Sequence, residues 1–339
     1  MNINEEYAME MLLSGHLKGK EIGDGYIVAF MYECQITNPE RLDRWLLHNG
    51  YLREPTIEET LSRYKVTELK GFLSKKGMKV TGKKEELINR LVSVLSETDI
   101  KNLLDSDKRY YLSEKGLKHY YDNIDLNELH RNWKYGIPLN EYFKYRKSNG
   151  VIRGFYEIAY LALQEKIKNG TTSIYGKNRI TIFDFMNFSE VCEKLGMYID
   201  SIKSALMALY MDTNLVADSH YYFDKDWIER DGVGGLCKRI DQNQCMIFNT
   251  YVTQRIVQLS EYYSEYMVDE IYKSIKLQYI LFDKRNFKSA VDDMIQSAYF
   301  ECSAYMRVIK DNYREIATHI LKDKNAVSFA SILKFLKGK

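Results

Sequence analysis

The chain has 339 residues, 45% of them hydrophobic and 13% aromatic, which supports a large core and excludes a mainly disordered chain. Its 49 basic and 47 acidic residues leave a net charge of +2, so the total by itself calls for neither a nucleic-acid nor an acidic partner. The three prolines, Pro39, Pro55 and Pro138, all precede residue 139; a long proline-free remainder fits helices and excludes a proline-rich linker.

The length suggests two or three domains. The first residues, MNINEEYAMEMLL, put acids before a short apolar run and lack the basic region of a secretory signal. Residues 1–64 read as a mixed lead-in. GYIVAFMYECQI (25–36) fits a buried strand or one side of a helix, and periodicity alone does not choose. Asn38-Pro39 predicts a capped helix start with proline at its first position, and Asn49-Gly50 its stop. Thr56 and Glu59 predict a capping box opening another short helix.

Residues 65–95 read as a separate small module of two amphipathic helices. Val66, Leu69, Phe72 and Leu73 lie on one face of the first, which ends at Gly77. Met78 and Val80 are expected to pack under the connector, with Leu87, Ile88 and Leu91 of the second helix completing the core. The other positions are basic: over residues 65–92 eight lysines and arginines face three glutamates, a net +5 that leaves −3 for the remaining chain. The near-neutral total thus hides a focused positive charge. Gly82, Lys83 and Lys84 fall at a helix N-terminus, where free N–H groups and the helix dipole favour phosphate.

LKGFLSKKGMKVTGKKEELINRL resembles the SAP domain, a helix-extended-helix DNA-binding module. The matching positions are Leu69-Lys70, Leu73, Gly77-Met78, Gly82-Lys83-Lys84, Glu86-Leu87 and Arg90-Leu91. Lys65 stands where many members carry a Ser or Thr cap, so the first helix needs a different cap. The resemblance implies backbone and groove contacts to double-stranded, often AT-rich, DNA. It makes Thr81, Gly82, Lys83 and Lys84 the phosphate-facing residues, with Lys76, Lys79 and Arg90 on the rim. A solvated basic hairpin is the plainer alternative.

Residues 96–149 read as a linker or a winged-helix-like region. RYYLS (109–113) leading into EKGLKHYYDN resembles the wing-to-helix passage of winged-helix proteins. A boundary is expected near Asn149-Gly150. From 150 to 339 the pattern is helical throughout. The pair 180–196 and 198–214, joined at Gly196, resembles a tetratricopeptide hairpin through Leu195-Gly196, Tyr198, Ala208-Leu209, Met211, Asp212 and Asn214, with Thr213 in place of the usual proline. No second copy accompanies it, and an ordinary helical hairpin is the plainer reading. CMIFNTYVTQRIVQLSEYYSEYMVDEIYKSIKLQYILF fits one long helix or two, another helical stretch follows, and AVSFASILKFLKGK reads as a closing helix. The fold class is mainly α: a small module in an N-terminal region with short strands, then an all-α array.

No phosphate loop, nucleophile elbow or zinc helix occurs. His16, His48, His119, His130, His220 and His319 are scattered. The five cysteines, Cys34, Cys192, Cys237, Cys245 and Cys302, form no CxxC pair and read as reduced thiols of a cytoplasmic protein. Asp224, Asp226, Glu229 and Asp231 miss the calcium-loop spacing and read as an acidic helix start. Tyr262, Tyr263, Tyr266, Tyr272 and Tyr279 fall at helix spacings and read as packing residues rather than base-stacking ones. No apolar run reaches the ~18 residues of a membrane span. The excess of lysine over arginine, with frequent Asn, Ile and Tyr, hints at an AT-rich bacterial or phage coding sequence.

Three functions follow as expectations. The first is a non-enzymatic double-stranded DNA-binding protein without cofactor or metal, whose C-terminal helices serve a protein partner or a homodimer. The second is a helical interaction scaffold. The third is a nuclease or modifying enzyme targeted by the module, with carboxylates around 223–231 as the place to look.

Overall fold

Asn2 opens the first helix, α1 (Ile3–His16), through a capping box with Glu5. Every residue of α1 from Tyr7 to Leu13 is buried, so the helix is covered on all sides rather than along one stripe. Two buried polar ties hold its neighbours. His16 places Nε2 2.7 Å from Asp43 Oδ1 and Nδ1 2.9 Å from the Tyr110 carbonyl. Glu10 pairs with His119 Nε2 at 2.7 Å.

The computed structural model describes residues 2–23, 34–146, 154–170, 180–216, 222–242, 247–275, 277–297 and 299–323. Most of 25–36, the boundary at Asn149-Gly150 and the closing helix from Ala326 lie outside them. The chain divides into two units, Met1–Trp133 and Lys134–Lys339.

In the first unit, α1 is followed by strand β1 (Lys20–Glu21), helix α2 (Pro39–His48) and strand β2 (Leu52–Arg53). Asn38 caps α2 and Pro39 sits in its first turn. Helix α3 (Ile57–Leu61) starts at the Thr56–Glu59 capping box. The module helices α4 (Val66–Lys75) and α5 (Lys84–Val92) come next, then α6 (Glu97–Ser106). The strand and helix expected over 109–123 are present as β3 (Arg109–Leu112) and α7 (Glu114–Asp122); α8 (Ile124–Arg131) follows. The sheet order is β1-β3-β2, both pairings antiparallel, with Lys20 opposite Tyr110 and Leu52 opposite Leu112.

The whole of 54–108, basic module included, is therefore inserted between two strands that pair with each other. Side chains lock the two ends of the insertion. Arg53 makes a bidentate pair with Glu59 at 2.7 and 2.8 Å. Asp107 accepts from Thr60 Oγ1 at 3.0 Å, Arg63 Nη1 at 2.9 Å and the Arg109 backbone and side chain. Burial would raise the Asp107 carboxyl, but hydrogen bonds from Arg109 and Thr60 outweigh it and hold it below the usual carboxylate range.

The second unit is helical among the described residues. It contains α9 (Leu139–Arg146), α10 (Phe155–Asn169), α11 (Ile182–Lys194), α12 (Tyr198–Thr213), α13 (Lys225–Asp231), α14 (Gly235–Asp241), α15 (Thr250–Gln258), α16 (Tyr266–Ser274), α17 (Lys284–Gln296) and α18 (Ser303–Lys322). The α11–α12 hairpin lies at its heart. Buried Arg255 of α15 bridges that hairpin, donating to Glu193 at 2.7 Å, Ser189 Oγ at 3.0 Å and Ser201 Oγ at 3.1 Å. The stretch that fitted one helix or two is two: α15 and α16 are separated by a short 3-10 turn at Ser260–Tyr262. The following stretch likewise breaks into α17 and α18. No helix among the described residues is long and apolar enough to cross a membrane.

Asp107→Ala leaves Arg109 and Arg63 without their carboxylate, and about 3 kcal/mol of stability is expected to be lost. Urea unfolding followed by tryptophan fluorescence measures it. The depressed Asp107 carboxyl stabilises the fold above the usual carboxylate range, so in the wild type this contribution fades as pH falls through the folded-state value.

Candidate nucleic-acid interface

The module is built on six leucine and isoleucine side chains. Leu61, Leu69, Leu73, Leu87, Ile88 and Leu91 are buried together, with Phe72 and Met78 packed on them. Two apolar expectations fail. Val66 and Val80 are exposed, at 37% and 36%. Cover comes instead from outside 65–92: Leu61 and Ile57 of α3, Tyr64, Leu95, and Leu103 of α6. A core this small needs neighbouring elements to close it.

Lys65 contributes no side-chain cap, as its identity implies. The Glu68 carboxylate reaches back and accepts from Lys65 N at 2.6 Å, fixing the start of α4. Helix α4 stops at Gly77, whose φ of +71° is left-handed. The connector then runs without helix or strand to Gly82, with φ +134°, where a side chain would also run into the Glu86 carboxylate. Lys83 is the N-cap position of α5 and makes no side-chain cap bond.

The seven expected contact residues separate into two groups. Lys79, Thr81, Gly82 and Lys83 are exposed along the connector and the α5 N-terminus, and neither lysine has a carboxylate partner among the described residues. The other three are engaged within the protein. Arg90 Nη1 donates to the Lys79 carbonyl at 2.5 Å and the Thr81 carbonyl at 3.1 Å, so it straps the connector in place. Lys84 Nζ donates to the Ser62 carbonyl at 2.6 Å, tying α5 to the end of α3. Lys76 pairs with Asp99 of α6 at 2.8 Å.

Two acids temper the positive edge. The Asp99 carboxyl is lowered to about 2, chiefly by the hydrogen bond from Lys76 and then by those from Ser96. The carboxyl is therefore ionised and able to pair with Lys76 at pH well above that value. Glu85 and Glu86 occupy the first turn of α5 and already answer its dipole. Glu86 was read in the sequence only as a pattern position, but its carboxylate lies against Gly82. The arrangement leaves Lys79, Thr81, Gly82 and Lys83 on an exposed edge whose backbone is tied by Arg90. It holds no nucleophile or acid–base pair.

Residues 60–95 match the family model of the SAP domain. They are a SAP domain. The match covers the module and leaves the rest of the chain unassigned, and no curated protein or solved structure matches the chain. A SAP domain points to nucleic-acid binding in general.

Among the described residues, the acids at 224 and 231 serve the fold. Asp224 caps α13 by accepting from Trp227 N at 3.0 Å, and Asp231 pairs with Arg230 and Arg239. Among the described residues no three His, Cys, Asp or Glu side chains gather as a metal site. Burial pushes the Cys192 thiol up to about 12, which makes it a packing group rather than a nucleophile.

Asp99→Asn removes the carboxylate that occupies Lys76. The freed ammonium is expected to tighten nucleic-acid binding and steepen its salt dependence by about one unit in log–log slope. Fluorescence anisotropy over a salt series reads both.

Proposed function

We propose that the chain is a non-enzymatic double-stranded DNA-binding protein that grips the phosphate backbone through the Lys79–Lys83 edge of its SAP domain. One observation carries this reading: the exposed lysines of the connector lie on a backbone strapped by Arg90, so the cations and the free N–H groups are presented together. Such contacts position a duplex without reading its bases, which suits a targeting module. AT-rich DNA, with its narrow minor groove and strong negative potential, is the preferred duplex. The helices of the second unit supply a surface for a protein partner or for self-association, and the chain works in the cytoplasm or on the nucleoid of a bacterium or a phage-infected cell. Asp107 and the paired β2–β3 strands make the SAP domain an integral part of the first unit rather than a tail on a linker.

The test separates free from engaged lysines. Lys79→Ala with Lys83→Ala is expected to weaken duplex binding and lower the salt slope by about two units. Lys84→Ala acts differently, because it loses a tie to Ser62: it is expected to lower thermal stability more than it changes the slope. Anisotropy titrations at several salt concentrations, beside thermal unfolding, measure both. An unchanged slope in the double variant overturns the phosphate edge.

A further inference from the structure

The first unit carries a second basic face, on α2. The helix is anchored on its inner side: Leu46 and Asp43 are fully buried, and Asp43 accepts from His16 and from Gly23 N at 3.1 Å. Its outer side exposes Arg41, Arg44 and His48 at helical spacing, with Trp45 39% exposed between them. Arg41 has no carboxylate partner among the described residues. Arg44 pairs with Glu40 one turn back on the same exposed face, a contact that solvent weakens and a phosphate can replace at little cost.

The face continues past the end of α2. Trp45 stacks on Tyr51 with ring centroids 5.8 Å apart and planes 23° apart. Lys115 of α7 lies over the Tyr51 ring, its Nζ 4.1 Å from the centroid and 2.8 Å from the Asn49 carbonyl. Cations and flat rings thus alternate along one rigidly seated helix and the turn behind it. An α-helix fits the major groove of a duplex, and arginine side chains on its outer face reach guanine edges in bidentate fashion.

We propose that α2 is a second duplex-binding element that enters the major groove through Arg41, Arg44 and His48, while Trp45 lies along the backbone. The occupant is double-stranded DNA because the face is cationic and because the same frame carries the SAP domain. Helix α2 runs directly into β2, and β2 pairs with β3 across the insertion that holds that domain. The SAP edge then grips the backbone without touching the bases, and α2 supplies base contact. This inference shares its ligand with the proposed function but stands on different residues.

The test uses the full chain and a labelled duplex, comparing Arg41→Ala/Arg44→Ala, Lys79→Ala/Lys83→Ala and the two combined. The α2 variant is expected to lose about tenfold or more in affinity, and the combined variant more than either alone. Wild-type chain is expected to shield guanine N7 from dimethyl sulfate, and the α2 variant to lose that shielding. Arg41→Lys/Arg44→Lys keeps the charge and guards against a folding artefact: it should keep the salt slope and still lose guanine shielding. Affinity within about twofold of wild type together with unchanged guanine shielding overturns the proposal. Loss confined to single-stranded DNA or RNA overturns it as well. An effect of the α2 variant with none from Lys79 and Lys83 upholds it and sinks the SAP-edge reading instead.

Discussion

The antiparallel pairing of β2 with β3 is the constraint on which the first unit depends. It brings Leu52 opposite Leu112 and so closes a loop containing all of 54–108. The β2 strand is only two residues long, and a few ladder bonds do not by themselves offset the entropy of closing such a loop. The side chains at its mouth complete the closure. Asp107 gathers Thr60, Arg63 and Arg109, while Arg53 grips Glu59. These charges are partly or wholly withdrawn from water, where geometry and pairing matter more than at an open surface. Because the insertion is held at both ends, the SAP domain borrows core from α3 and α6 and keeps its small hydrophobic cluster closed.

Within that frame, nucleic-acid affinity is a competition between phosphates and the protein's own carboxylates. The module has a net charge of +5, but that charge is not all available. Asp99 holds Lys76, and Glu86 sits at the end of α5 that would otherwise meet an anion. Among the described residues Lys79 and Lys83 keep no carboxylate partner on the connector edge, and the exposed Lys65, Lys70 and Lys75 lie along the first helix. Arg90 gives up its own reach to fix that edge, which spares the bound state the cost of ordering a mobile connector. A binder of this kind is sensitive to salt and responds to sequence only through groove shape unless another element reads the bases.

Much of this was legible in the sequence. Asn38-Pro39, Thr56 with Glu59, and the spacing of Leu69, Leu73, Leu87 and Leu91 each report a local rule, and each element stands where its rule put it. The partition of the lysines was not legible. Lys83 and Lys84 are adjacent and chemically identical, yet one is exposed and the other donates to Ser62, because α3 happens to end within its reach. Val66 and Val80 were likewise misplaced: both are exposed, and Ile57, Tyr64 and Leu103 from outside 65–92 pack on the core. The insertion itself was hidden, since strands as short as β1 and β2 carry no alternation to detect. Asn38-Pro39 marked only where that helix starts; the meaning of Arg41, Arg44 and His48 on it required knowing which face α1 and Asp43 hold inward.

The most direct test of the account is hydrogen–deuterium exchange of the full chain with and without a DNA duplex. Slowed exchange in the backbone from Met78 to Glu85 on adding duplex, diminishing as salt is raised, is the expected result. Exchange in that segment that does not respond to duplex, with protection arising only beyond Lys134, contradicts it.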